Sequence, residues 1–242
     1  MVKVLSIDVG IRNLSLAHFT AEHTDEINPL CDEYESIHCL KNVNYTIHDW
    51  CILDISPPEY SCCDKTKQGK PCKKIVRWIH EGKHYCDFHK QDGFTPIVSA
   101  TKENRLYHIN KKLINTFDNM PQLLNIDYLL IENQPVRLNP IIKSIQMFIY
   151  SYFMIRGCID KNNIREIKLV HAKNKLKLCT SLPDPKVKSN YAKAKKKSIM
   201  MCDYLISDNQ EYVDMFNSTK KKDDLSDALL QGLWFITTLK LM

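Results

Sequence analysis

The chain has 242 residues, 44% of them hydrophobic and 26% charged, with a formal net charge of +6, and that length buries a full core as one large domain or one domain carrying an insertion. Its ten cysteines follow no apolar leader, since the first strand-like run begins at Val2. The expectation is therefore a reducing, cytoplasmic setting without secretory or mitochondrial targeting, where cysteines are thiols or metal ligands and disulfides are excluded. No membrane span is expected either, because the most apolar stretch, residues 141–155, is interrupted by Lys143, Ser144, Gln146 and Ser151.

Val2, Val4, Leu5, Ile7 and Val9 form a run dense enough for a strand buried on both faces. Asp8 lies inside that run, where a carboxylate is costly to desolvate unless backbone donors or a cation compensate it. Gly10 then marks a tight turn or a close approach, and Leu14, Leu16, Ala17 and Phe19 suggest a returning strand. Residues 34–40 and 45–55 look strand-like, with Asn42 and Asn44 as turn residues between them. Over residues 57–99 hydrophobic periodicity lapses while Pro, Gly, Cys and His accumulate, which reads as an inserted module in a main domain of residues 1–56 and 100–242. Helical spacing returns over residues 101–117, and residues 126–131 form a second buried strand running into Glu132. Asn139 is placed to cap a helix over 140–157, with Pro140 in its first turn. A strand over 164–170, a basic Pro-interrupted loop over 173–189, a helix over 191–206 and a last helix from Asp223 or Asp224 to Leu239 complete the chain. This order predicts an α/β fold: a mixed sheet with three N-terminal antiparallel strands, flanked by helices.

Asp224 and Asp227 are three apart and share a helix face, while Leu225, Ala228, Leu229 and Leu233 supply the packing side. Taken alone, acids in a first helical turn are simply favourable to the helix dipole. Combined with Asp8 and Glu132 at strand ends they make a set of four carboxylates, the donor type that Mg²⁺ or Mn²⁺ takes. Two such ions about 3.5–4 Å apart serve phosphodiester hydrolysis.

In the 57–99 module, Cys63, Cys72, Cys86 and His89 have the spacing Cx8Cx13CxxH, with Cys62 able to replace Cys63. Three thiolates and an imidazole suit one tetrahedral structural Zn²⁺, whose binding supplies folding free energy that so polar a segment lacks. Lys65, Lys67, Lys70, Lys73, Lys74 and Arg77 surround these ligands and extend a basic surface.

Residues 165–197 hold eleven Lys or Arg against only Glu166 and Asp184, a footprint for a polyanion. Lys173, Lys175 and Lys177 share one side if the segment is extended, and Lys193, Lys196 and Lys197 follow at helical spacings, so these six are read as phosphate contacts on nucleic acid. The helix carrying Phe148, Tyr150, Tyr152 and Phe153 reads as core or as a contact between copies.

SIDVGIRNLSLA, LLIENQP, VHAKNKLKL with YAKAKKKSI, and KKDDLSDALLQG stand in this order along the chain. In that order the four blocks resemble RuvC-like Holliday junction resolvases, most closely the poxvirus-type and fungal mitochondrial branches, and the absence of a leader makes the viral branch the closer analogue. The resemblance implies an RNase H-like fold, a homodimer, and Mg²⁺-dependent symmetrical nicking of four-way DNA junctions. It makes Asp8, Glu132, Asp224 and Asp227 the metal-binding acids, and Lys221 or Lys222 the basic neighbour of the active site, with Lys222 taken as catalytic and Lys221 as DNA-contacting. The cysteine module departs from the compact family pattern. Other readings are a nuclease of the same fold acting on flaps or RNA–DNA hybrids and a non-catalytic zinc-containing DNA-binding protein. An actin-like ATPase would need a second Gly-containing acidic phosphate loop, and none is found among the six glycines.

Overall fold

The computed structural model describes residues 1–26, 28–57, 60–97, 102–137 and 139–239. The chain divides into two compact units, Met1–Ile55 with Ile114–Met242, and Ser56–Leu113. The module expected over 57–99 falls within the second unit, and its end lies outside the described residues.

In the first unit, β1 (Val2–Asp8), β2 (Leu14–His23) and β3 (Val43–Leu53) form an antiparallel meander. Gly10 turns β1 into β2 where its backbone comes so close to the Asn13 carbonyl that a Cβ would collide with it. In the second unit, β4 (Val76–His80) pairs on one side with β5 (Lys83–Cys86) and on the other with the short β6 (Thr95–Pro96). Helix α1 (Lys102–Asp118) presents Ile109, Leu113 and Phe117 as its buried stripe; residue 101, its expected start, lies outside the described residues.

Strand β7 (Tyr128–Glu132) then joins the first sheet parallel to β1, and β8 (Glu166–Val170) lies parallel to β7, giving the order β3-β2-β1-β7-β8. The mixed sheet with three antiparallel strands is thus the one expected. Between β7 and β8 runs α2 (Pro140–Phe153), capped by Asn139, whose side chain accepts from the Ile142 backbone N–H at 3.2 Å. A π-helical turn, Met154–Asp160, extends it. After β8 come α3 (Asn190–Leu205), α4 (Gln210–Ser218) and α5 (Lys222–Thr238).

Two local expectations change. Residues 34–40 are not a strand; Pro29–Asp32 and Glu35–Leu40 are 3-10 turns, because Ile37 and Leu40 are the pair that buries, three apart, and period-two alternation is absent. Helix α4 was not foreseen; it buries only Phe216, too little apolar pattern to announce itself.

Helix α5 lies across β1 and β2. Gly232 permits this: a Cβ there would sit 2.5 Å from Phe19 Cε1 and 3.3 Å from Ser6 Cβ. Buried Gln231 donates to Ser6 Oγ at 3.1 Å, and Trp50 Nε1 donates to the Leu225 carbonyl at 3.0 Å. The helix is thereby fixed in rotation as well as in position. No helix among the described residues is long and apolar enough to cross a membrane.

Candidate active site

The parallel register pairs Ile7 with Ile131, so the next residues, Asp8 and Glu132, end neighbouring strands at the same level. Two carboxylates side by side repel and persist only with compensation. Helix α5 brings Asp224 and Asp227 to this edge, held there by Ser15 Oγ, which donates to the Asp224 carbonyl at 2.7 Å. All four acids therefore converge, and each of the other three raises Asp8 through its charge.

The compensating cation is Lys175. Its Nζ donates to Glu132 Oε2 and to Asp227 Oδ2, both at 2.7 Å, and the residue is only 7% exposed. Gln134 Nε2 donates to the other oxygen, Glu132 Oε1, at 3.2 Å. Buried Gln146 steadies this stretch through its Oε1, which accepts from the Gln134 backbone N–H at 2.7 Å.

Burial and then the Glu132 charge hold Asp8 well above the usual carboxylate range, with Lys175 pulling the other way. Burial likewise raises Asp227 against Lys175, and raises Asp224 with help from Asp223. Lys175 is raised despite its burial, because Asp8, Asp227 and Glu132 surround it. One oxygen, Asp224 Oδ2, is buried without a hydrogen-bond partner. A surplus of carboxylate over cation, an all-oxygen donor set and an orphaned buried oxygen together fit a hard divalent cation.

The lysines fall out differently from expectation. Lys175 is not one of three lysines on an extended surface strip: Lys175–Cys179 is a 3-10 helix that turns Lys175, Leu178 and Cys179 inward, leaving Lys173 and Lys177 exposed. The spacing of these three residues was the available signal. Lys222 does not face the acids; its Nζ donates to Asn217 Oδ1 at 2.5 Å and lies 5.0 Å from the centre of the Phe216 ring. Lys221 is exposed, and its charge acts to lower Asp224. Asp223 pairs with Lys195, which outweighs burial and holds its carboxyl below the ordinary range. Lys193 and Lys197 meet Asp184 at 3.4 and 2.7 Å, while Lys196 is exposed.

In the second unit, the ligand atoms of Cys62, Cys72, Cys86 and His89 all lie within 4.8 Å of one another. His89 Nδ1 is 3.3 Å from Cys62 Sγ and 3.5 Å from Cys86 Sγ, and Cys72 Sγ is 3.9 Å from Cys86 Sγ. A tetrahedron with metal–ligand bonds of about 2.0–2.3 Å has edges of about 3.3–3.8 Å, so the donor set fits Zn²⁺. Cys62, not Cys63, completes the set. The backbone N–H of Cys63 is tied to the His84 carbonyl at 2.8 Å, and alternation along this extended segment turns Cys63 out to solvent and Cys62 in.

A curated relative, "Uncharacterized protein L451" of Acanthamoeba polyphaga mimivirus, is 30% identical over 223 residues, covering 81% of this chain and 54% of that protein, so the chain spans about half the length of the curated relative it matches. Among solved structures, the yeast mitochondrial Holliday junction resolvase Ydc2 is 16% identical with a TM-score of 0.49, over 97% of this chain and 78% of that one. The fowlpox virus resolvase, solved with substrate Holliday junction DNA, is 16% identical with a TM-score of 0.47, over 98% of this chain and 99% of that one. The family model described as "Mitochondrial resolvase Ydc2 / RNA splicing MRS1", in its catalytic-domain form, matches residues 4–147, a stretch that includes Asp8 and Glu132 and stops short of Lys175, Asp224 and Asp227. With more than half its length inside that match, the chain belongs to the family described as mitochondrial resolvase Ydc2 / RNA splicing MRS1.

Proposed function

We propose that the protein is a divalent-metal-dependent endonuclease that resolves four-way DNA junctions as a homodimer. One observation carries the reading: Asp8, Glu132, Asp224 and Asp227, scattered along the chain, meet at one edge of the sheet around a buried lysine. Mg²⁺ or Mn²⁺, two ions held jointly by these acids, would activate an attacking water and stabilise the leaving oxygen in phosphodiester hydrolysis. Lys175 orients Glu132 and Asp227 and offsets their repulsion, keeping both carboxylates in place before any cation arrives. Gln134 orients the second oxygen of Glu132. Exposed Lys173, Lys177, Lys196 and Lys221 are free to meet phosphates, which position a duplex without reading its bases. Half-exposed Met147 and Phe148 on α2 offer an apolar patch to a second copy. In the second unit, Cys62, Cys72, Cys86 and His89 hold one structural Zn²⁺; with four protein ligands it keeps no open position for chemistry.

The family description spans a resolvase and an RNA splicing protein, so a nucleic-acid-binding role without cleavage is the second reading. The excess of buried carboxylates favours cleavage, since a purely binding surface for polyanions gains nothing from them. Incubating the purified chain with a labelled four-way junction, with and without Mg²⁺, tests this. Paired nicks at matching positions on opposing strands, only with Mg²⁺, are expected; a junction bound and left intact refutes the reading.

A further inference from the structure

We infer that the Ser56–Leu113 unit carries a second nucleic-acid contact, one that grips unpaired DNA by stacking a base on Phe88 and meeting the adjoining phosphates with lysines. Between Asp64 and Glu81 the sequence has no acid and six basic residues. Four of these, Lys65, Lys67, Lys70 and Lys73, are exposed on or beside a tight loop. The loop has a fixed shape: Thr66 N–H donates to the Lys70 carbonyl at 2.7 Å, Gly69 N–H to the Thr66 carbonyl at 2.8 Å, and Cys72 N–H to the Asp64 carbonyl at 2.9 Å. Gly69 holds a positive φ of 75° at its tip. The charges are thus presented on a preorganised frame, tied to the metal-ligand cluster through Cys72.

Beside this loop, Phe88 projects from the turn between two of the ligand residues, Cys86 and His89. The residue is 77% exposed, although Lys74 Nζ stands 3.1 Å from the centre of its ring. Ile75 is 80% exposed, and Val76, next in sequence, pairs with Cys86, so Ile75 lies at the same end of the hairpin as Phe88. An apolar ring left in solvent with a cation against it offers a π-face and a positive charge within one nucleotide's reach. Stacking platforms for single strands combine those two features, and paired bases in a duplex have no free face to offer. The neighbouring Asp87 does not spoil the field, since Arg77 pairs with it at 2.9 Å and Trp78 Nε1 donates to it at 2.9 Å. An acidic peptide or an anionic membrane would match the charge but gains nothing specific from a flat, cation-capped ring. The inference deepens the reading of the protein as a DNA enzyme, while the contact itself needs none of the catalytic acids.

The test is fluorescence anisotropy of a labelled oligothymidylate with the zinc-loaded full chain and no other divalent cation. Phe88→Ala is expected to weaken binding about tenfold, and Phe88→Trp to restore it. The double variant Lys67→Glu with Lys70→Glu is expected to weaken binding and flatten its salt dependence. Wild-type affinity in Phe88→Ala that retains its zinc overturns the inference, as does a loss that Trp does not repair. Should Phe88→Ala shed zinc, the lysine double variant decides, and an unchanged affinity and salt slope overturns the inference. Wild-type binding to phosphatidylserine vesicles with no binding to the oligonucleotide overturns it in favour of a membrane. Because no nicking is read, a failure of the junction assay leaves this outcome standing, and the reverse holds too.

Discussion

Lys175 Nζ lies 2.7 Å from Asp227 Oδ2, joining the turn after β8 to the first turns of α5. The same ammonium reaches Glu132 at the end of β7, so one buried cation links three elements of the candidate site. Buried charges held this way are costly to separate.

Replacing that cation by a neutral chain of similar size leaves adjacent carboxylates uncompensated. Lys175→Met should lower the stability of the metal-free chain by about 3 kcal/mol, within the range for breaking a buried pair. Added Mg²⁺ should recover part of the loss, and urea unfolding with and without Mg²⁺ reads both effects. Equal stability of variant and parent without Mg²⁺ would show that the lysine is dispensable.

Asp8 is the acid most strongly pushed toward its neutral form. Asp8→Asn should therefore leave the metal-free fold as stable as the parent or raise it by about 1 kcal/mol, the stability that a strained functional residue typically withholds. Cutting should disappear while junction binding persists, as followed by gel shift and nicking on the same labelled substrate. Retained cutting would remove Asp8 from the active site.

Gly232 is where α5 crosses β1 and β2 most closely. Gly232→Ala places a methyl 2.5 Å from Phe19 Cε1, and overpacking of this kind costs about 1–3 kcal/mol. Because α5 carries Asp224 and Asp227, the nicking rate should fall along with the denaturation midpoint, whereas junction affinity should change little.

Two adjacent cysteines separate cleanly. Cys62→Ser should abolish the stoichiometric zinc of the purified chain, and Cys63→Ser should keep it, because only Cys62 Sγ lies within the ligand cluster. Metal analysis after gel filtration distinguishes them. Proteolysis of Cys62→Ser should become rapid within residues 60–97, since that stretch buries only Cys62, Cys72 and Cys86, with partly buried Val76 packed against them.

Much of the scaffold was legible along the chain. The apolar runs at residues 2–9 and 126–131 announced strands buried on both faces, and Asn139 with Pro140 announced a helix start, because burial and capping are written in local residue order. The 3-10 turns at 29–32 and 35–40 and the short α4 were not, since a few buried positions in a brief element match several periods equally well.

By itself the sequence determined which carboxylates are unusual, since an acid inside an apolar run or on the packing helix stands out against its neighbours, and it narrowed the soft-metal ligands to five cysteine and histidine positions. Only the tertiary structure chose Lys175 over Lys222 as the cation among the acids, and Cys62 over Cys63 as the fourth member of the Cys/His cluster. Both choices depend on the direction a side chain leaves its backbone. In a 3-10 turn or a short extended segment, one residue's shift in phase exchanges inside for outside, and packing against distant elements sets that phase.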